Sequence, residues 1–160
     1  MELKLIAVAK PPDVNCIIGQ AHFIKTVEDL YEALAQAVPG IKFGVAFCEA
    51  SGPCLVRHTG SDAEMEKLAV DAAAAIAAGH VFVIMLRDAF PVNVLNSIKA
   101  VAEVCGVFCA TANALRVVVA CDGPDRGVIG VIDGSAPKGV EGEAERAARH
   151  AMLRQFGYKQ

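Results

Sequence analysis

"IKFGVAFCEASG", residues 41–52, sorts large and small side chains onto alternate positions. Strand side chains alternate across the plane of a sheet, so Ile41, Phe43, Val45 and Phe47 share one face. Gly44, Ala46 and Cys48 share the other, and all three are small. Such a face lets a neighbour approach closely. The Ala-rich run "DAAAAIAAG", 71–79, supplies a helix able to lie against it, and that is the preferred reading. A bound ligand is the alternative occupant.

Working outward from this strand, 41–49, the pattern predicts strand 2–10, a short strand near 15–20 and helix 27–38 before it. After it come an extended piece at 53–58, helix 62–79, strand 80–87 and helix 91–104. Strands 106–112, 115–122 and 126–133 follow, and helix 141–156 closes the chain. Thr26 is the expected N-cap of the first helix, and Ser61 with Glu64 forms the capping-box pattern for the second. Pro39-Gly40 and Gly79 are the expected stops. Pro91 suits a first helical turn. "DGPDRG", 122–127, is turn chemistry between two Val/Ile-rich runs and predicts a hairpin. Strands alternating with helices, plus one hairpin, imply a single α/β domain over 1–160 with a mixed β-sheet, packed helices and a C-terminal helix.

Composition narrows the function. Of 160 residues, 54% are hydrophobic and 21% charged, which excludes a disordered chain. The net charge is −3 and no Lys/Arg stripe forms, so neither nucleic acid nor an anionic membrane is an expected partner. The longest apolar stretch, 72–86, is interrupted by Gly79 and His80 and is too short to span a bilayer. The N-terminal "MELKLIAVAKPP" reads as a first strand rather than a signal peptide. Six cysteines without a C-x-x-C pair read as reduced, mostly buried thiols. A soluble, cytoplasmic protein is expected.

Missing motifs exclude more. No two of the fourteen glycines stand two apart, so a G-x-G-x-x-G dinucleotide fingerprint cannot occur. Gly134 and Gly139 have P-loop spacing, but Val140-Glu141 follows in place of Lys-Ser/Thr, so there is no Walker-type ATP site. G-x-S-x-G and H-E-x-x-H are absent.

Three polar clusters remain. In "GQAHFIKT", 19–26, a histidine and a lysine precede a helix. Neutral imidazole is a nucleophile, and the first N–H groups of a helix hold anions, so His22 could carry a phosphoryl group beside Lys25. Glu28 and Asp29 already complement that helix end and would repel a dianion. The plain alternative is a histidine anchored by loop hydrogen bonds and a surface lysine. In "CEASGPCLVRHTG", 48–60, Glu49 ends a strand, Ser51-Gly52 can turn N–H groups inward and Arg57 could grip a phosphate. An ordinary strand–turn–strand is the alternative. In "VIDGSAPKGVEGE", 131–143, Asp133 could ligate Mg²⁺ or a ribose hydroxyl, Lys138 could meet phosphate and Glu141 opens a helix. A plain connecting loop is equally open. His58, His80 and His150 lack metal-ligand spacing, and no metal site is expected.

Taken together, "GQAHFIKTVEDLYEAL", "KFGVAFCEASG", "AGHVFVI", "FPVNVLNSIKAVAEV", "CATAN", "GVIGVIDG", "PKGVE" and "LRQFGYK" resemble the adenosine-specific kinase family, also known as a domain of unknown function. The resemblance runs nearly end to end. It implies a small α/β protein, a homo-oligomer and specifically a trimer, that binds adenosine and AMP. Its pocket would draw on His22 and Lys25 as catalytic residues. Glu49, Ser51, Arg57, His80, Asn113, Asp133, Lys138 and Glu141 would bind ligand. Ala114 departs from the proline that the resemblance leads one to expect after "TAN". The implied activity is phosphorylation of adenosine through phosphohistidine at His22, with Lys25 and Arg57 meeting phosphoryl charge. Neither a cofactor nor the phosphoryl donor can be read from these motifs. The alternative is a trimer that binds or senses adenosine or AMP without turnover, the purine stacking on Phe23 or Phe90.

Overall fold

The computed structural model describes residues 1–160. In chain order the elements are β1 (Glu2–Ala7), β2 (Asn15–Ala21), α1 (Thr26–Ala37), β3 (Lys42–Cys48), β4 (Val56–Gly60) and α2 (Ala63–Ile76). Then follow β5 (Val81–Arg87), α3 (Pro91–Lys99), β6 (Val104–Thr111), β7 (Leu115–Asp122), β8 (Asp125–Asp133) and α4 (Glu143–Gln155). The strands form a five-stranded sheet in the order β4-β3-β5-β2-β6 and a three-stranded sheet in the order β1-β7-β8. The α/β class is as expected. All pairings are antiparallel, however, where the sequence suggested a mixed sheet.

The two faces of β3 are used as its alternation requires. A Cβ built on Gly44 would stand 2.2 Å from Glu66 N and 2.3 Å from Met65 C, so the backbone of α2 lies directly on that face. The helix, not a ligand, occupies the small side. Ala46 and Cys48 join Ala69, Ala73 and Ile76 of α2 in one core layer, closed by Leu115, Val117 and Val119 of β7. On the opposite face Phe43, Val45 and Phe47 pack with Leu30 and Leu34 of α1 and Val94 and Ile98 of α3. Phe43, Phe47 and Phe82 are fully buried, each contributing about 1.5–3 kcal/mol through the area removed from water. The five-stranded sheet is thus covered by α1 and α3 on one side, and by α2 with the three-stranded sheet on the other.

Several local expectations are corrected. The strand expected near 15–20 is β2, and it lies inside the sheet, paired on both sides with β5 and β6. Thr26 does not cap α1: it is buried in the first turn and its hydroxyl donates to Phe23 O. Asp62, one residue past Ser61, caps α2 by accepting from Glu64 N and Met65 N, both at 3.1 Å. Ser61 Oγ instead donates to Ile41 O and accepts from Phe43 N, tying β3 to the loop after β4. α2 stops at Ala77, which is left-handed at φ 51°, two residues before Gly79. Gly79 serves close approach, since a Cβ there would lie 2.9 Å from that of Ala50. α3 ends at Lys99 rather than 104, because Val104 onward pairs with β2. The 115–122/125–133 hairpin is as expected. α4 buries none of its residues. No helix is long and apolar enough to cross a membrane.

Candidate functional site

Topology brings three chain segments to one end of the five-stranded sheet. β2 and β3 both run antiparallel to β5, which lies between them. The residues following β2, those following β3 and the residue preceding β5 therefore meet at the same edge. His80 locks the meeting: its N–H donates to Cys48 O at 2.8 Å, and its carbonyl accepts from Ala21 N at 3.0 Å. A cleft of about 190 Å³ opens there, lined by His22, Phe23, Phe47, Glu49, Ser51 and His80 among others. Two of the three polar clusters thus converge, and His80 joins them.

His80 holds a left-handed backbone, φ 63°, a region a side chain with Cβ enters at a cost of about 1–3 kcal/mol. Its ring stacks on Phe47 at a centroid distance of 5.8 Å and 18°. His22 is exposed, with its N–H donated to Glu103 O at 3.1 Å and its ring stacked on Phe23 at 6.5 Å. Opposite, Glu49 is fixed twice. Oε1 accepts from Arg57 Nη2 and Oε2 from Leu55 N, both at 2.8 Å. The Arg57 hydrogen bond, then the Leu55 N–H, hold its carboxyl below the usual range, against some desolvation. Gly52, at φ 65°, turns the backbone immediately after Ser51.

Two of the three cations expected to meet phosphate, Arg57 and Lys25, are paired with carboxylates. Arg57 pairs with Glu49, and its Nε is buried without a partner. Lys25 Nζ lies between Asp29 Oδ2 and Glu103 Oε1, the latter at 2.8 Å. The hydrogen bonds it donates, to Asp29 first and Glu103 second, raise the ammonium pKa above its ordinary value. Asp29 is correspondingly lowered, chiefly by Lys25. Glu103, whose side chain is only 3% exposed, was missed in the sequence. Its signal was present: it is the sole charged residue between Lys99 and Arg116, inside an apolar run.

The third cluster lies elsewhere in the chain. Asp133 Oδ1 accepts from Thr111 Oγ1 at 2.6 Å and Asn113 Nδ2 at 3.0 Å. Thr111 pairs with Cys16 near the start of β2, whereas His22 follows its end. Five strand rises separate Cys16 from Ala21, roughly 17 Å. Lys138 is exposed beyond Asp133, and Glu141 accepts from Arg149 Nη2 at 2.6 Å, which lowers its pKa. Phe90 also lies away from the cleft, while Phe23 lines it. His58 pairs with Glu66 Oε1 at 2.6 Å. No group of three or more His, Cys, Asp or Glu side chains is arranged to hold a metal ion. What the cleft offers is two imidazoles, a fixed carboxylate and a hydroxyl.

The sequence model of a family described as "Adenosine specific kinase" matches residues 6–159. Among solved structures, the chain is similar to the PH1918 protein from Pyrococcus horikoshii OT3, with a TM-score of 0.95 and 46% identity. That similarity covers 99% of this chain and 98% of the other. No curated protein matches the chain.

Proposed function

The chain belongs to the adenosine-specific kinase family, and from that premise we propose that it phosphorylates adenosine at the His22 cleft through a phosphohistidine. In the first step an imidazole nitrogen of His22 bonds to phosphorus as the donor's P–O bond breaks and the rest of the donor leaves on that oxygen. In the second, the adenosine 5′-oxygen bonds to phosphorus as the P–N bond breaks, giving AMP. His80 takes the hydroxyl proton, a role that Glu49, kept ionised by Arg57, is less basic to fill. Splitting the transfer in two replaces one difficult step by two easier ones. The observation supporting this reading is the convergence of His22 with Glu49, Ser51 and a left-handed His80 on one cleft. Phe23 offers its ring to the purine.

A second reading, binding or sensing of adenosine or AMP without turnover, is favoured by the pairing of Lys25 and Arg57 with carboxylates. Paired cations stabilise transferring phosphoryl charge less than free ones. Labelled phosphate from ATP separates the two. The kinase reading expects labelled AMP, and a His22→Ala variant that still binds adenosine in calorimetry but forms none. Binding with no AMP above the protein-free blank would leave the second reading standing.

The same proposal includes a cytoplasmic homotrimer. Its support is apolar surface with no cover within the chain. Leu3, Leu5 and Ile132 are 60%, 51% and 41% exposed on the three-stranded sheet, and Met152 of α4 is 45% exposed. Asn113, Asp133, Lys138 and Glu141 would join a His22 cleft from a neighbouring copy. Sedimentation equilibrium tests the trimer; a monomer at micromolar concentration would remove it.

A further inference from the structure

Among the buried residues Glu103 is the only charged one. A carboxylate taken out of water demands a counter-charge. Lys25 Nζ stands 2.8 Å from its Oε1, while Oε2 is buried with no hydrogen bond. The lysine side chain is itself 52% exposed, so the ammonium sits at the surface above a buried anion. Moving it away would leave that anion uncompensated, which pins the ammonium in place.

Lys25 has a second carboxylate, Asp29, one turn further along α1. That pair is internal to the helix and moves with it. Glu103 immediately precedes β6, and its carbonyl accepts the His22 N–H at 3.1 Å. One residue therefore holds His22 by its backbone and the Lys25 charge by its side chain. It refers a flexible lysine stem to the strand end that carries His22. An ammonium has three N–H groups, and two carboxylates leave the third for another acceptor.

We propose that Glu103 is a positioning residue: it anchors the Lys25 ammonium beside His22 so that the third N–H meets a phosphoryl oxygen on that imidazole. This rests on the phosphohistidine proposed above, and not on adenosine as its acceptor. Pairing dilutes the ammonium's charge, yet it leaves the stem already ordered when the phosphoryl group arrives. Phosphoryl transfer is governed by placement as much as by charge.

Potassium phosphoramidate is a probe that needs no nucleotide recognition. An imidazole nitrogen bonds to phosphorus as the P–N bond of phosphoramidate breaks and ammonia leaves. Phosphorylation of His22 in the full-length protein is followed by ³¹P NMR and peptide mass spectrometry, with exposed His150 in the same sample as the reference. Glu103→Gln keeps the size and an acceptor oxygen; it should slow His22 about tenfold relative to His150, as should Lys25→Met. Glu103→Asp keeps the charge but withdraws it by one methylene. It should slow His22 as far, and it decides the matter where the glutamine variant does not fold. In a Lys25→Met background Glu103→Gln should cause no further loss, whereas a glutamate that only braced the 22–25 turn would cost the same in both backgrounds. Unchanged His22 rates in both Glu103 variants, or an equal fall in the Lys25→Met background, would overturn the assignment. So would an unaltered protein whose His22 takes up no phosphoryl group. Label transfer to adenosine, measured in parallel, tests the kinase reading separately: Glu103-dependent labelling of His22 without AMP removes that reading and supports this one.

Discussion

At His80, replacement by glycine and by alanine should rank in the opposite order from an ordinary strand or helix position. In such interiors alanine is the more stabilising by about 0.5–1 kcal/mol, because glycine loses more freedom on folding. At φ 63° the Cβ of alanine meets the following carbonyl oxygen, a clash of about 1–2 kcal/mol that glycine escapes. The two effects oppose, and the clash is the larger, so His80→Gly should be more stable than His80→Ala by about 0.5–1 kcal/mol. Both variants lose the ring stacked on Phe47, so that loss cancels in the comparison. For a chain of this length the difference is about 2–3 °C in Tm. Thermal melts of the two proteins at one concentration measure it, the matched concentration removing any contribution from assembly. Both variants also lack the imidazole in the His22 cleft, and AMP formation should fall in both, including the more stable one. An alanine variant at least as stable as the glycine one would refute the strain argument. Full turnover in the glycine variant would remove His80 from the chemistry.

Other outcomes follow from the same contacts. Gly44→Ala would place a methyl 2.2 Å from Glu66 N, against backbone that cannot rotate away, and should cost at least about 2 kcal/mol, read as a lower urea midpoint. Asp13, Asp29, Glu49, Glu64 and Glu141 all have lowered pKa values from hydrogen bonds to Arg or Lys. Their stabilisation is present above the unfolded carboxylate pKa, near 4, and is lost as pH falls through the lower folded values. Melts should therefore be flat from pH 7 to about 5 and fall below about pH 4, less steeply in Glu49→Gln and in high salt. Burial pushes the Cys48 and Cys109 thiols up to about 11 and Cys16 higher still. Exposed Cys54 and Cys105 should therefore react first with a thiol reagent, the buried Cys16 and Cys48 only on unfolding.

Alternation in residues 41–52 was enough to recover β3 and the helix on its small face, because both facts are local to a strand and to the volumes of its side chains. What sequence could not supply was the identity of neighbours. "NCIIGQA" looks marginal alone, yet it pairs on both sides. Gly19 is why it can: a Cβ there would lie 2.3 Å from the Phe82 ring and 2.5 Å from Gly106 O, atoms of the two flanking strands. Ser61 and Asp62 are equally good caps by chemistry, and Asp62 takes the role because Ser61 is held by β3. The site divides in the same way. Residue type alone nominated His22, Glu49 and Ser51, but their meeting depends on β5 running against both β2 and β3. His80 enters the expected pocket only through the family resemblance, because its distinguishing property is a backbone angle that sequence does not display. The family resemblance implied that Asp133 belongs to the same pocket. Its partners Thr111 and Asn113 fix it at the far end of β2, so within one chain it cannot share a nucleotide with His22. Any role for it in that cleft would therefore need a second copy of the chain, which is what the proposed trimer would have to supply.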